Sequence, residues 1–364
     1  MEFINNTKYP AKLYQTLDGS GQRFASIVVK ASYSFPEKNN ERARPATQQS
    51  EINLNDVFVA EAGLSAPLFE SDLAPHKPRC DILIHANAHT ENNKPESQLI
   101  AGFKLGTCEK RLLVTGNRIW QKGWLGLTPS KPEPFTSMPI HYGLAFGGQW
   151  SNENATDALC YPQNPVGRGF AKGRFTKHLL GTSLPNLSEP LKSVEDYASN
   201  YRPMSFGPIG RSWQPRLKWA GTYDDNWKEN VFPLPPADLN ELYYQSAPED
   251  QQIDYPKGGE VISLYNLHPT RSFIQFPLPN LTLPIQLICQ KGFEHTLESN
   301  VDTLIIDATT ENIFITWRAR FPIKRSLLEI KTVFIGQGIN IWKANQRTQG
   351  GCCGEPATSS AQNG

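Results

Sequence analysis

Little in this sequence leans one way. Its 364 residues carry 36 Lys and Arg against 35 Asp and Glu, so the basic excess that marks a nucleic-acid surface is missing. A polybasic membrane patch is missing for the same reason. No apolar run approaches the ~20 residues needed to span a bilayer. Met1 to Lys8 holds neither the basic region nor the apolar stretch of a secretory signal, so the chain is expected to be cytoplasmic. Cysteine is sparse: there are six, and only Cys352 and Cys353 are neighbours. Without a Cys-x-x-Cys spacing, a zinc knuckle and a thioredoxin-type pair are excluded, and free thiols, buried or in the tail, are expected. No period of 20–50 residues repeats, which excludes a solenoid or propeller.

What the chain does have is turn residues and aromatics: 29 Pro, 27 Gly, 8 Trp, 18 Phe and 12 Tyr. The stretch from Met138 to Phe170 sets glycine and proline at intervals among aromatic residues, a pattern suited to a rigid junction between packed parts. Before it, Phe24 to Phe35 alternates. Ile27, Val29, Ala31, Tyr33 and Phe35 lie on one face and Lys30, Ser32 and Ser34 on the other, which predicts a half-buried strand. Asp81–His89 and Leu99–Leu105 alternate too and predict a hairpin, with Leu112–Val114 and Ile119–Trp120 continuing a meander.

From 123 to 215 a proline falls every few residues, which excludes long helices and central strands. Short helices are predicted at Ser193–Tyr201, with Ser193 as N-cap, and at Pro236–Gln245, with Pro236 at the first position. Strands return at Val261–Leu267, Phe273–Leu278, Ile285–Cys289 and Leu328–Phe334. Thr303–Asp307 and Ile313–Ile323 make a hairpin. The expected fold is therefore mainly β. Two antiparallel, sandwich-like halves, 1–122 and 256–342, are joined by a Pro/Gly-rich, loop-rich middle, 123–255, carrying one or two short helices. The polar stretch 343–364 reads as a disordered tail. Long loops are uncommon unless they carry function, so the middle is where a binding surface belongs.

Motifs for chemistry are also scarce. Gly167 to Arg174 has the glycines and cations of a phosphate cradle, but prolines precede it and no Gly-Lys-Ser/Thr follows, so it reads as a turn with a basic rim. His85 and His89 on a strand stand about 13 Å apart by the ~3.3 Å rise, too far for one metal ion. There is no Gly-x-Ser-x-Gly elbow, and Asp224-Asp225-Asn226 lacks the spacing of a calcium loop. No catalytic residue, cofactor or metal is assigned.

Several short strings together are more specific. They are Ile27-Val28-Val29-Lys30-Ala31, Lys77-Pro78-Arg79-Cys80-Asp81, Ala145-Phe146-Gly147-Gly148 and Asn164-Pro165-Val166-Gly167-Arg168-Gly169-Phe170. To these add Leu184-Pro185-Asn186-Leu187, Trp213-Gln214-Pro215-Arg216, Ala220-Gly221-Thr222-Tyr223-Asp224 and Ala247-Pro248-Glu249-Asp250-Gln251-Gln252. In this order the chain, from Asn5 to Ile341, resembles a bacterial family of proteins associated with type VI secretion. Members are encoded beside VgrG spike proteins, PAAR-tip proteins and toxins, and are regarded as effector adaptors or chaperones. The resemblance implies a non-enzymatic cytoplasmic protein that binds a toxin, or its PAAR-bearing segment, and delivers it to the VgrG spike.

An adaptor needs surface rather than a cleft, about 800 Å² per partner with aromatic and Arg anchors near its centre. The middle region offers Trp150, Arg168, Phe170, Trp213, Arg216, Trp219 and Trp227 as candidate contacts. A glycan-binding or glycan-cleaving β protein, and a structural part of the secretion baseplate, are the alternatives.

Overall fold

The computed structural model describes residues 1–124, 126–151 and 158–350, with side chains to residue 346. It is mainly β. The principal strands are β1 (Glu2–Asn5), β2 (Ala11–Leu17), β3 (Arg23–Ser34), β4 (Cys80–His85), β5 (Gln98–Leu105) and β6 (Cys108–Thr115). After the middle region come β7 (Val261–Tyr265), β8 (Phe273–Pro277), β9 (Ile285–Cys289), β10 (Glu294–Leu297), β11 (Asn300–Asp307), β12 (Asn312–Ile323) and β13 (Ile330–Ile335). Two α-helices are described, α1 (Asp225–Asn230) and α2 (Ile339–Gly350).

The expected separation into an N-terminal and a C-terminal half does not describe the pairing. The central sheet runs Gln252–Ile253, β4, β11, β12, β3, β2, so strands from both ends are mixed within it. β3 pairs antiparallel with β12 over twelve positions, from Asn312 opposite Ser34 to Ile323 opposite Arg23. β11 lies parallel to β4. A second sheet joins β6, β5, β7 and β8, and a third joins β1, β13, β9 and β10. Both again mix early and late strands, because the apolar faces of the two ends are buried more completely against each other than apart.

The three sheets share one core. Ile27, Val29 and Ala31 of β3, Ile315 and Trp317 of β12, and Ile82 and Ile84 of β4 meet Phe103 and Leu105 of β5, Ile262 and Leu264 of β7, and Leu287 and Val333. A smaller core forms in the middle region around Trp120, Phe146, Phe170, Leu179, Leu184 and Tyr201. The stretch from Met138 to Phe170 joins the two: Met138, Tyr142 and Ala145 belong to the main core, Phe146 and Phe170 to the smaller one. Asn164 fixes the junction by donating to the carbonyls of Tyr142 (2.8 Å) and Phe146 (3.0 Å). Gly147, at φ +149°, lies so close that a Cβ there would stand 2.1 Å from the Asn164 carbonyl oxygen. Only glycine fits.

Several local expectations are corrected. Asp81–His89 and Leu99–Leu105 do not form a hairpin: β4 enters the central sheet, Asn87–His89 pairs with Ser137–Pro139, and β5 pairs with β6 and β7. Nor does Trp120 continue the meander, since Trp120–Gly123 pairs with Gly126–Pro129. Residues 193–201 are not helical. Asp196 instead accepts from the amides of Ala198 and Ser199, a local turn that competes with a helix. Of Pro236–Gln245 only Glu241–Tyr244 winds, as one 3₁₀ turn. α1 was not foreseen, although Asp224 caps it by accepting from the Trp227 amide. The first part of the expected tail is helical, in α2. Residues 351–364, with Cys352 and Cys353, lie outside the described residues. Cys80 and Cys108 are buried, whereas Cys160 is exposed. No helix among the described residues is long and apolar enough to cross a membrane.

Candidate partner-docking site

The site grows from the second face of the central sheet, which was expected to meet solvent. Ser26, Lys30 and Ser32 of β3 and Thr316 and Arg318 of β12 are all buried. The loop 49–78 covers Lys30, Ser32 and Arg318 and brings Asp72, and the loop 205–250 covers Asp81 on the neighbouring part of the sheet. Lys30 Nζ meets Asp72 at 2.9 Å. Arg318 meets Asp302 at 2.5 Å and also donates to the Tyr14 hydroxyl and the Asp72 carbonyl. Lys77 meets Asp81 at 2.7 Å, and Asp81 accepts in addition from the Gln245 side chain and from Ser246. The covering loops are thus clamped by ion pairs rather than by apolar packing alone.

Arg216 extends the clamp outward. Its guanidinium forms a two-pronged pair with Glu70 and donates to the carbonyls of Ile209 and Tyr243. Next to it Arg211 pairs with Asp56 at 2.9 and 3.1 Å. From this base the chain runs out as a loop that closes on itself. The Asn240 amide donates to the Trp219 carbonyl at 3.0 Å. Asp238 accepts from the Thr222 amide and hydroxyl, which lowers its carboxyl pKa. Gly221, at φ +85°, allows the bend, since a Cβ would come 2.9 Å from Pro236 Cβ.

At the tip of that loop sit aromatic rings. Trp227 stands on α1, half-buried, with its indole N–H donating to the Leu234 carbonyl at 3.0 Å. Tyr223 packs edge-on at 4.7 Å between centroids and Phe232 at 5.7 Å. Tyr223 is 57% exposed and Phe232 67%, and Leu217 and Leu234 on the same segment are exposed as well. The rings are braced from beneath by capped backbone and left uncovered above, which is what a contact surface for another protein requires.

The seven residues singled out from the sequence fall into two groups. Phe170, Trp213 and Arg216 are buried: Phe170 in the smaller core, Trp213 against Tyr142, Arg216 in its ion pair. Trp150 is half-buried, donating to the Phe170 carbonyl at 2.6 Å and stacking on His178. Arg168, whose guanidinium pKa burial lowers, donates to the Gly143 carbonyl and reaches Asn186 at 3.4 Å. These five hold the fold together. Trp219, with Lys218 over its ring at 4.6 Å, and Trp227 remain near the surface. Sequence reasoning missed Tyr223, Phe232 and Leu234. The signal for them was the Asp224 cap and the proline at 233, which together forecast a short helix between tight turns.

Among the described residues, no three His, Cys, Asp or Glu gather as a group that could hold a metal ion. The fold and this loop define a mainly β protein with a braced, exposed aromatic tip. The chain belongs to the family described as an uncharacterized protein conserved in bacteria (DUF2169), whose profile matches residues 20–318. No curated protein and no solved structure matches it.

Proposed function

We propose that this protein is a non-enzymatic cytoplasmic adaptor that binds a toxin effector, or its PAAR-bearing segment, and loads it onto the VgrG spike of a type VI secretion system. The observation that supports the reading best is the exposed cluster of Tyr223, Trp227, Phe232 and Leu234 on a loop fastened at its base by Arg216 and Asp238. A rigid aromatic patch loses little side-chain entropy on contact, so burying it favours association. The buried ionisable groups supply a second line of support. Lys30, Lys77, Arg216 and Arg318 are each paired with a carboxylate, which gives them structural work.

The test is co-expression with a PAAR-bearing toxin and a VgrG protein, followed by size-exclusion chromatography. A stoichiometric complex is expected. Tyr223→Ser/Phe232→Ser is expected to fold as the parent does and to weaken that complex by about tenfold or more, as loss of an aromatic hot spot does. Trp213→Ala and Arg216→Ala are poor probes here, since both side chains are buried. A complex that survives the double substitution unchanged removes the patch from the reading, and no complex at all removes the reading.

A further inference from the structure

The central sheet ends in an open edge. β2 pairs with β3 on one side, from Ala11 opposite Val29 to Leu17 opposite Arg23. The Lys30 amide donates to the Pro10 carbonyl at 3.0 Å, which sets the phase of the ladder. Antiparallel pairs alternate between bonded and non-bonded positions. Hence Lys12, Tyr14 and Thr16 turn their backbone groups toward β3, and Ala11, Leu13, Gln15 and Leu17 turn theirs outward. Among the described residues no backbone or side-chain hydrogen bond is made to the N–H or C=O of those four residues. Where β3 runs past the end of β2, the protein does close the edge: the Gln49 side chain bonds both the amide and the carbonyl of Ser32, and the Ala46 amide adds a bond to that carbonyl. β2 has no such cover. It also lacks the bulge or internal proline that blunts edge strands, and Lys12 is its one charge.

An open groove of about 730 Å³ runs beside the start of this edge. Tyr9, Pro10 and Ala11 line it together with Ile52 and Leu54, and Lys8, Lys12 and Glu51 add the charged groups. Neither lysine has an ion-pair partner among the described residues, so with Glu51 counted the groove carries an excess of one positive charge.

We propose that β2 is a strand-addition site for an extended segment of a partner protein, apolar at alternate positions and acidic where it passes Lys8 and Lys12. Main-chain bonds to Ala11, Leu13, Gln15 and Leu17 supply affinity, and the groove with its two cations supplies register. A second copy of this chain is the weaker fit. A seven-residue edge alone falls well short of the ~1,600 Å² of a standard stable interface, and a folded body cannot follow the strand into the groove. The occupant rests on the adaptor reading only in being cargo. The strand site itself does not.

The probe is a synthetic nine-residue peptide of alternating Val and Thr with two Glu at one end, added to the full chain and followed by amide hydrogen exchange. Slowed exchange at Leu13, Gln15 and Leu17, and not at Lys12 or Thr16, is expected. Replacing the two Glu by Lys should weaken binding about tenfold, equivalent to 1.4 kcal/mol, and Lys12→Glu should narrow or reverse that preference. Gln15→Pro removes one outward N–H, leaves every β2–β3 bond in place, and should abolish binding at unchanged Tm, since proline is tolerated on an outer edge. Should that variant unfold, a peptide N-methylated on its bonding edge makes the same test from the other side, and it should not bind. Unslowed exchange at the outward amides overturns the proposal. So does equal binding of the methylated peptide, or sedimentation showing a dimer of the parent that Gln15→Pro converts to monomer. If the parent holds its cargo and Gln15→Pro holds it equally, the strand site carries no cargo and the adaptor reading stands. If the parent holds no cargo, the adaptor reading falls and peptide protection still decides the strand site.

Discussion

The two faces of β3 and β12 are made from the same two strands and are equally buried, yet they are held by different physics. On one face Ile27, Val29, Ala31, Ile315 and Trp317 enter the main core. On the other, Lys30, Ser32, Thr316 and Arg318 are just as dry, with Lys30 only 3% and Arg318 5% exposed. The apolar face tolerates small changes because packing is distributed over many contacts. The ionic face does not, because each charge depends on a single opposite charge and an unpaired buried ion is costly. The difference teaches where the covering loops get their specificity. Apolar contact would let loops 49–78 and 205–250 slide, whereas Lys30–Asp72 and Lys77–Asp81 fix the first on the sheet and Arg216–Glu70 and Arg211–Asp56 fix the second to the first. Arg216, through Glu70 and the Tyr243 carbonyl, holds the base of the loop that carries the aromatic tip at 223–234.

The largest effect is expected where this contrast is sharpest. Asp302→Ala strands Arg318 and should cost about 3–5 kcal/mol in urea unfolding. Asp302→Leu combined with Arg318→Met removes both charges and should return to within about 1–2 kcal/mol of the parent. If the single and double variants lose the same stability, the ionic face is merely another packed face. On the apolar side Ile315→Val, also fully buried, should cost only about 0.5–1.5 kcal/mol by the same measurement.

A smaller effect separates the interior of the ionic face from its margin. Glu241 bonds His76 at 2.7 Å and Arg320 at 2.5 Å. The His76 bond chiefly, with Arg320 and against partial burial, holds its carboxyl down at about 2. A carboxylate whose pKa is depressed by folding contributes stability that is complete above its unfolded value of ~4.3 and disappears as pH falls toward about 2. Thermal unfolding of Glu241→Gln between those values should show a shallower fall with acid than the parent. Since Glu241 is about a third exposed, solvent screens the pair and the change should be smaller than at Asp302.

Strand alternation made the apolar face legible: β3 and β12 were placed to within a residue or two, and the hairpin of β11 with β12 followed from the polar run between them. The ionic face could not be read in the same way. Period two says that Lys30 and Arg318 point away from the core, and solvent is the default on that side. Only the arrival of Asp72, from 42 positions along the chain, makes the interior hospitable to Lys30. Partner choice among strands was hidden for a related reason, since a local pattern gives the face of a strand and not its neighbour. The site residues failed in a systematic way. Trp213, Phe170 and Arg216 were chosen as large anchors, and large anchors are also what cores and ion clamps take. Tyr223 and Phe232 flank α1, a helix too short for periodicity to reveal.

The smallest expected change in stability falls at that tip, and it carries the most functional weight. Tyr223 and Phe232 touch Trp227 and otherwise face outward, so replacing both by serine removes little buried area. The unfolding free energy should shift by no more than about 0.5 kcal/mol per site, as surface substitutions do. If the cost is several kcal/mol instead, the rings are part of the clamp, and the contrast between a fixed base and a free tip is wrong. If stability holds while the complex with the toxin or spike weakens tenfold, the ionic face serves to aim an aromatic surface that the folded state itself does not need.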